Sequence, residues 1–267
     1  MMNNEPIIRL SFFFGTLLLM VLWEKLAPCR QPNTSQLLRQ LNNLGIAILN
    51  TILLRSIFPV AAVGSAILAT QQGWGLFNTI MMPNWLSILL SIVALDLIIY
   101  WQHRLFHTWP LGWRIHKVHH ADPDFDVTTG LRFHPIEILL SMSIKIILIW
   151  LLGIPPLAVL IFEVLLNATA MFNHSNIALP ESLDRFVRLL IVTPDMHRIH
   201  HSVVPAEANS NFGFNLTCWD HLFGTYHSDP KIGQQEMLIG LLEYQQDQRV
   251  AKLLGMLMIP FIAGSQD

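Results

Sequence analysis

Five long apolar runs constrain this chain more than any other feature of its sequence. A bilayer core about 30 Å thick is crossed by about 20 apolar helical residues. Runs near this length lie at 7–23, 44–70, 86–101, 138–152 and 157–172. Hydrophobic residues make up 52% of the chain and charged residues only 13%, whereas soluble domains have about 25% charged residues. The sequence therefore predicts an all-α protein, an integral-membrane helical bundle.

The remaining segments are more polar, and we expect them to form a histidine-rich helical cap on one membrane domain that covers 1–267. The predicted cap comprises 102–135 and 173–250, where prolines interrupt the chain repeatedly. Between the last two runs, two consecutive prolines at 155 and 156 cannot continue a helix, so a tight hairpin is predicted there. The apolar stretch at 253–262 is too short to span and is predicted to lie along the membrane surface.

Four charged residues interrupt the apolar runs. A charge that faces lipid is costly, so each of them is expected to face the interior of the bundle. These residues are Arg55, Asp96, Lys145 and Glu163.

The distribution of basic residues predicts the orientation of the bundle. Short loops rich in lysine and arginine favour the cytoplasmic side. Basic residues follow the first and third runs, whereas the linkers at 73–85 and 153–156 contain none. We therefore expect a multi-pass protein with its N-terminus outside and all its histidine clusters on the cytoplasmic side.

Charge, cysteine content and absent motifs disfavour several classes of function. A net charge of −2 disfavours sequence-independent binding to nucleic acid, so no nucleic-acid partner is expected. Cys29 and Cys218 are too far apart in sequence for a zinc-finger spacing and too few for a disulfide scaffold. No HExxH, GxSxG or GxGxxG motif is present, which disfavours a zinc protease, a serine hydrolase and a nicotinamide-binding or flavin-binding fold.

Histidine is the residue type that carries the chemistry of this chain. Eight of the twelve histidines lie in three clusters, and the second and third share the spacing HxxHH. Residues three and four apart lie on one face of a helix, so each cluster can present several imidazoles together. Because imidazole binds iron, zinc and copper, and eight rings exceed one coordination sphere, two metal ions are expected. The clusters are His103 and His107, then His116, His119 and His120, then His197, His200 and His201.

Four further residues are candidates for the same site. Asp96 precedes His103 by two helical turns, which suits a carboxylate that orients a ligand histidine through its second nitrogen. His174 lies at the end of the fifth run and is predicted to be a ninth ligand. His134 and Glu137 form either a hydrogen-bonded pair at a helix start or a second layer around the metals that contacts ligands or substrate; the sequence does not distinguish these roles. An all-histidine site at a bilayer surface suits redox iron that activates oxygen.

The order of these motifs resembles that of the fatty acid hydroxylase and sterol desaturase superfamily of membrane di-iron oxygenases. The resemblance covers about half of the chain. The matching elements are HRLFH at 103–107, HKVHH at 116–120, RFHPIE at 132–137, NHSN at 173–176, TPDMHRIHHS at 193–202 and WDHLFGTY at 219–226.

The resemblance implies a cytosolic centre with two iron ions (Fe²⁺), and hydroxylation or desaturation of a sterol, fatty acyl or isoprenoid lipid with O2. The 267 residues contain no cytochrome b5-like segment, so a separate electron donor is expected: a cytochrome b5-like protein, a ferredoxin or a reductase. The alternative is a non-enzymatic membrane metal carrier or sensor. The implied metal ligands are His103, His107, His116, His119, His120, His174, His197, His200 and His201.

Overall fold

The computed structural model describes residues 4–32 and 35–262, and these residues form thirteen α-helices with short 3-10 turns. Within these ranges β-structure is limited to isolated bridges, which confirms the all-α prediction. The long helices are α1 (Glu5–Leu26), α2 (Gln36–Ile57), α3 (Ala61–Gln72), α5 (Asn84–Thr108), α7 (Pro135–Leu152) and α8 (Pro156–Asn173). The short helices are α4 (Leu76–Thr79), α6 (Pro110–His120), α9 (Glu181–Val187), α10 (Pro194–His200), α11 (Pro205–Ala208), α12 (Cys218–Leu222) and α13 (Leu253–Met258).

Five helical segments are long and apolar enough to cross a membrane, and each overlaps one predicted run. The helices extend beyond the apolar runs at several ends because polar residues continue the helical turns. Helix α5 continues past its apolar run to Thr108 and so includes His103 and His107. The histidines of this helix are therefore held by the same rigid element that enters the apolar bundle.

The second apolar run is divided into two helices, although its sequence suggests one. Helix α2 ends at Ile57 and α3 begins at Ala61. Pro59 lies between them, and a proline removes a backbone donor and disfavours the helical conformation of the residue before it. The preceding residue, Phe58, indeed has the non-helical angles φ −119° and ψ 73°.

The bundle has two distinct ends. At one end, α5 and α8 finish next to the histidines, and Glu24 near the end of α1 accepts hydrogen bonds from the backbone N–H groups of Val127 and Asn176, both at 2.7 Å. At the other end, Gly153 turns the chain from α7 into α8 with φ +67°, a conformation that glycine adopts at little cost. The α7–α8 hairpin expected from the two prolines is present.

The apolar core lies between α3, α5, α7 and α8. Its fully buried side chains include Ala66, Leu95, Ile149 and Phe162. Helix α1 packs mainly against α8 and buries only Met20. The rigid part of the bundle is therefore the part that carries the histidine-bearing ends of α5 and α8.

Three of the four charges in the apolar runs are buried, as expected. Glu163 lies between Nζ of Lys145 at 2.8 Å and Nη1 of Arg9 at 3.0 Å, and Asp96 is only 2% exposed. Arg55 differs from the prediction, because it is exposed on the outer face of α2. Its long aliphatic stem lets the guanidinium extend along the helix towards a polar boundary, so an interior partner is not required.

The Lys145–Glu163 pair gives a stability prediction. Removing one partner of a buried ion pair costs about 3–5 kcal/mol, whereas replacing both with apolar residues is often close to neutral. We expect Glu163→Leu to lower the unfolding temperature in detergent strongly, and Lys145→Met combined with Glu163→Leu to recover most of the loss. The exposed Arg55→Leu is the control. Equal unfolding temperatures for the single and double variants would contradict a stabilising pair.

The start of α2 is joined to the cap by a buried polar cluster. Arg39 donates to Asp122 at 2.7 Å and also pairs with Asp126. Asn43 donates to the hydroxyl of Thr128 at 3.0 Å. The guanidinium of Arg39 lowers the pKa of Asp122 despite the opposing effect of burial. These contacts fix the segment that follows His119 and His120 against a long helix of the bundle.

Candidate metal centre

The nine predicted histidine ligands are brought together where α5, α6, α8 and α10 meet. Two rings come from the end of α5, three from α6, one from the residue after α8, and three from α10 and the residue after it. Thr193 accepts a hydrogen bond from the N–H of Met196 and Pro194 occupies the first turn, so the predicted start of α10 is present. Four separate parts of the sequence therefore supply one site.

These histidines separate into two groups. Within each group, one potential ligand atom from every residue lies within 4.8 Å of all the others. The first group contains His103, His107, His116, His120 and His200, and the second contains His119, His174, His197 and His201.

The two HxxHH motifs are divided between the groups in a reciprocal way. His116 and His120, one helical turn apart on α6, join the first group, whereas His119 joins the second. In the motif at α10, His197 and His201, the residue after the helix, join the second group, whereas His200 joins the first. Each motif thus contributes an i, i+4 pair to one group and a single ring to the other.

The two groups adjoin each other. The rings of His120 and His201, one from each group, are stacked with centroids 4.4 Å apart. The rings of His116 and His119 have centroids 5.3 Å apart. Two ions held by these groups would be neighbours in one centre.

Backbone carbonyls fix the orientation of four of the rings through Nδ1. His103 faces the carbonyl of Phe212 at 2.9 Å, and His200 faces that of Ser210 at 2.7 Å. His119 and His174 face the carbonyls of Arg132 and Ala170 at 3.2 and 2.7 Å. A carbonyl can only accept, so Nδ1 carries the hydrogen in each of these rings, and Nε2 of the neutral ring presents its lone pair.

The fit to a metal ion can be tested on these lone pairs. Nε2 of His119 and Nε2 of His174 are 3.1 Å apart, and Nε2 of His174 is 3.0 Å from Nε2 of His197. Since His119 and His174 use their N–H groups elsewhere, their two lone pairs face each other and repel. Nitrogen ligands about 2.1 Å from one ion lie about 3.0–3.4 Å apart. A cation among these atoms would remove the repulsion.

The first group also fits a metal ion, and here the observation is a set of buried ring nitrogens. Nε2 of His103, His116 and His200 is buried and has no hydrogen-bond partner among the described residues. An unpaired buried acceptor is costly, and metal coordination is an ordinary way to satisfy it. The donor sets of both groups therefore fit metal ions.

Burial keeps six of the rings on α6, at the end of α8 and around α10 neutral. Loss of solvent lowers the pKa of His174 and of His200 to about 3. Burial, followed by the neighbouring imidazoles, holds the pKa values of His119, His120, His197 and His201 well below 6.5. A neutral ring is the protonation state that binds a metal ion.

The sequence did not distinguish the roles of Glu137 and His134. The structure shows that these roles differ. Oε1 of Glu137 lies 2.8 Å from Nδ1 of His116 and holds that ring with Nε2 towards the first group. His134 instead caps α7, because its Nδ1 accepts from the N–H of Ile136 at 3.2 Å. Glu137 thus belongs to the second layer of the site, whereas His134 is the helix-start residue.

The predicted contact between Asp96 and His103 is wrong. Asp96 accepts hydrogen bonds from the side chains of Asn215 and Trp219 at 2.7 and 2.8 Å, while Nδ1 of His103 uses the carbonyl of Phe212. The loop that follows α11 lies between the two residues, so two turns of helix do not bring them into contact. Asp96 instead anchors this loop, which supplies the carbonyl that orients His103.

Several features of the site have no signal in the sequence. The carbonyls of Phe212, Ser210, Ala170 and Arg132 orient ligands whatever their side chains are. Gly130 is another such feature, since a Cβ there would lie 2.7 Å from the carbonyl oxygen of Ala170. Only the three-dimensional arrangement identifies these positions.

The fatty acid hydroxylase family model matches residues 88–225 of this chain. This is just over half of the 267 residues, and it contains all nine histidines together with Asp96, His134 and Glu137. The chain belongs to the fatty acid hydroxylase family. The match begins within α5 and therefore leaves out α1, α2 and α3, as well as the segment from 226 onward.

The relatives of this chain include proteins that are named for reactions on lipids. The chain is 35% identical over 150 residues to an ornithine lipid hydroxylase of Rhizobium tropici. The aligned region covers 56% of this chain and 44% of that protein. The chain is 28% identical over 149 residues to the alkylglycerol monooxygenase of Homo sapiens, covering 55% and 31%. It is 32% identical over 157 residues to a very-long-chain aldehyde decarbonylase of Oryza sativa subsp. indica, covering 57% and 58%.

The chain thus spans less than half the length of the first of these relatives and about a third of the second. No solved structure matches the chain.

Proposed function

We propose that this chain is a membrane di-iron oxygenase that hydroxylates a lipid, using O2 and an external electron donor. Desaturation of the lipid remains the second outcome of the same chemistry. The observation that carries the proposal is the pair of adjoining histidine groups, whose unpaired ring nitrogens point inward. Family membership and relatives named hydroxylase and monooxygenase support oxygen insertion as the reaction class.

The proposed ligands of the two irons are the two histidine groups described above. Five imidazoles would hold one ion and four the other. Iron supplies the activation of O2 that oxidation of an alkyl carbon requires, since amino-acid side chains lack this redox chemistry. A site of imidazoles without a metal-binding carboxylate suits a soft-to-borderline divalent ion such as Fe²⁺.

The residues of the chain orient, hold and seclude the reacting centre. The four carbonyls and Glu137 fix five of the nine rings, so these five ligands need not reorganise when an ion binds. Glu137 keeps a proton on Nδ1 of His116, which leaves Nε2 of that ring as the ligand atom. Phe133 stacks on His119 with ring centroids 4.4 Å apart. Such apolar packing excludes water from the side of the centre that faces the bundle.

The substrate is proposed to enter from the bilayer, because the site lies at the ends of two membrane helices. The third and fifth candidate spans, α5 and α8, lead directly to His103, His107 and His174. A water-soluble substrate would not require ligands on these helices. The electron donor is proposed to be a separate protein that approaches the cap.

A metal carrier or sensor is the second candidate function. A carrier is expected to bind its ion near the bilayer midplane on discontinuous helices and to release it readily. Here the ligands lie at one end of the bundle, and five of the nine rings are held through Nδ1 by carbonyls or Glu137. This rigid second layer favours a resident cofactor.

The proposal is tested by lipid analysis with the purified, iron-loaded protein in vesicles of its host's lipids. Mass spectrometry should detect a gain of one oxygen, or a loss of two hydrogens for desaturation, only when O2 and a reductant are both present. Stable iron binding without any oxidised lipid across host lipid classes would favour the carrier or sensor.

Topology gives a separate prediction. In a background without Cys29 and Cys218, cysteine at exposed Ser228 is expected to react only from the cytoplasmic side. Cysteine at Met81, which is fully exposed between α4 and α5, is expected to react only from outside. A membrane-impermeant thiol reagent applied to intact cells and to inverted vesicles measures this. Labelling of both positions from the same side would contradict the predicted topology.

A further inference from the structure

The segment 181–191 has an exposed apolar face that its sequence position in the cap does not explain. Phe186, Leu189 and Leu190 are 71%, 67% and 70% exposed. On lipid-facing α5, Leu89 and Leu90 are 50% and 40% exposed. We call the segment 181–191 the rim segment. Several large apolar side chains exposed together in this way mark a contact surface.

The opposite face of the rim segment is polar and joined to the cap. Asp184 is buried and pairs with Arg188, and Arg188 donates to the carbonyl of Ser228 at 2.8 Å. Arg185 pairs with Glu181 at 2.9 Å at the surface. Asp184 and Arg188 thus bind the segment to the protein, whereas its uncovered side carries the apolar side chains together with the exposed Arg185–Glu181 pair.

Hydrogen bonds through an intervening loop link the rim segment to α5. The carbonyl of Leu190 accepts from the N–H of Thr217 at 3.2 Å. The neighbouring N–H of Leu216 donates to Asp96 at 3.3 Å, and so does the indole of Trp219 at 2.8 Å. Asp96 is midway along α5, about 18 Å from either end at 1.5 Å per residue. The backbone of Leu190 is therefore linked through Thr217 and Leu216 to the middle of a candidate membrane span.

A second contact links the rim segment to the adjacent helix α8, nearer to its histidine-bearing end. The side chain of Asn215 contacts Thr169, which lies about one turn before the end of α8 at Asn173. The N–H of Val192 donates to the carbonyl of Asn215 at 3.0 Å. The rim segment is consequently tied to two candidate spans below their histidine-bearing ends.

We propose that the rim segment is embedded in the leaflet on the histidine side of the bilayer, with Phe186, Leu189 and Leu190 in contact with acyl chains. The occupant of this surface is lipid, because the segment is linked through Thr217 and Leu216 to Asp96, within a candidate membrane span. The segment lies in the membrane without crossing it, as amphipathic interfacial helices do. Part of the region predicted as an aqueous cap is then a membrane-embedded element. This inference is independent of the proposed oxidation.

Spin-label accessibility tests the proposal with the full chain in phosphatidylcholine and phosphatidylglycerol vesicles. Nitroxide labels are placed singly at Phe186→Cys, Leu189→Cys and Leu190→Cys without Cys29 and Cys218. Collision rates are measured with apolar O2 and with a water-soluble nickel chelate. Leu90→Cys on α5 is the lipid reference, and Gln235→Cys, exposed in the cap, is the aqueous reference.

We expect the ratio of O2 to nickel accessibility at the three sites to match Leu90→Cys and to exceed Gln235→Cys several-fold. A ratio equal to that of Gln235→Cys would overturn the proposal, because the surface would then face water. Low accessibility to both reagents would also overturn it, because a second copy or another protein would then cover the surface. Three neighbouring sites keep the test decisive if one variant fails to fold.

Discussion

Replacing His119 or His200 with alanine is expected to reduce formation of oxidised lipid by at least about 100-fold while the protein remains in the membrane. His200 belongs to the first histidine group and His119 to the second. Each replacement removes one ligand and the ring that a backbone carbonyl orients. Loss of even an outer-layer partner of a ligand typically costs about 10–100-fold in metal affinity or activity, so loss of the ligand itself should cost more.

The matched control is His227→Ala. His227 lies outside both groups, and its contacts with Asn211 use its backbone N–H and carbonyl, which alanine retains. Product formation by this variant should remain near the original rate. Mass spectrometry of extracted lipids and a membrane-fraction immunoblot measure the two properties. Full activity of the His119 and His200 variants, or an equal loss in His227→Ala, would show that the site is assigned incorrectly.

Glu137 is expected to be the most important residue that does not bind a metal directly. Glu137→Leu removes the acceptor that holds Nδ1 of His116 at 2.8 Å and should lower iron affinity or activity by about 10–100-fold. Glu137→Gln keeps an oxygen that can accept from the same N–H and should recover much of the loss. Iron retention during titration with a chelator separates this positioning role from a general loss of stability.

His134→Asn is the control for this experiment. His134 caps the same helix three residues earlier, and asparagine is a favourable capping residue. Iron retention and lipid oxidation should be close to those of the original protein. Equal effects of Glu137→Leu and Glu137→Gln on iron retention would indicate that the hydrogen bond to His116 does not position the ligand.

The apolar runs predict the helical bundle well because length and hydropathy are local properties of the sequence. The break at Pro59 is also local, but the prediction of one run over 44–70 missed it, because hydropathy does not register the missing backbone donor of a proline. The exposure of Arg55 and the exposed apolar face of 181–191 are different. They depend on which surfaces neighbouring helices cover, and no single segment contains that information.

The histidine spacing predicts the site residues but not how they are grouped. Residues one helical turn apart lie on one face, which explains why His116 and His120 fall in the same group. The placement of His119 with His174 and His201 depends on how α6, α8 and α10 pack together. The spacing of Asp96 and His103 is equally regular, yet a loop from 120 residues later in the chain lies between them. The carbonyl partners of the rings likewise have no side-chain pattern to reveal them.

The most direct test of the central claim is the iron content of the full chain, purified in detergent and reconstituted with Fe²⁺ without oxygen. Elemental analysis against protein concentration should give two iron ions per chain. His200→Ala and His119→Ala should each give about one, because each variant weakens a different group. Less than one iron ion per chain in the unaltered protein, after such loading, would contradict the di-iron centre.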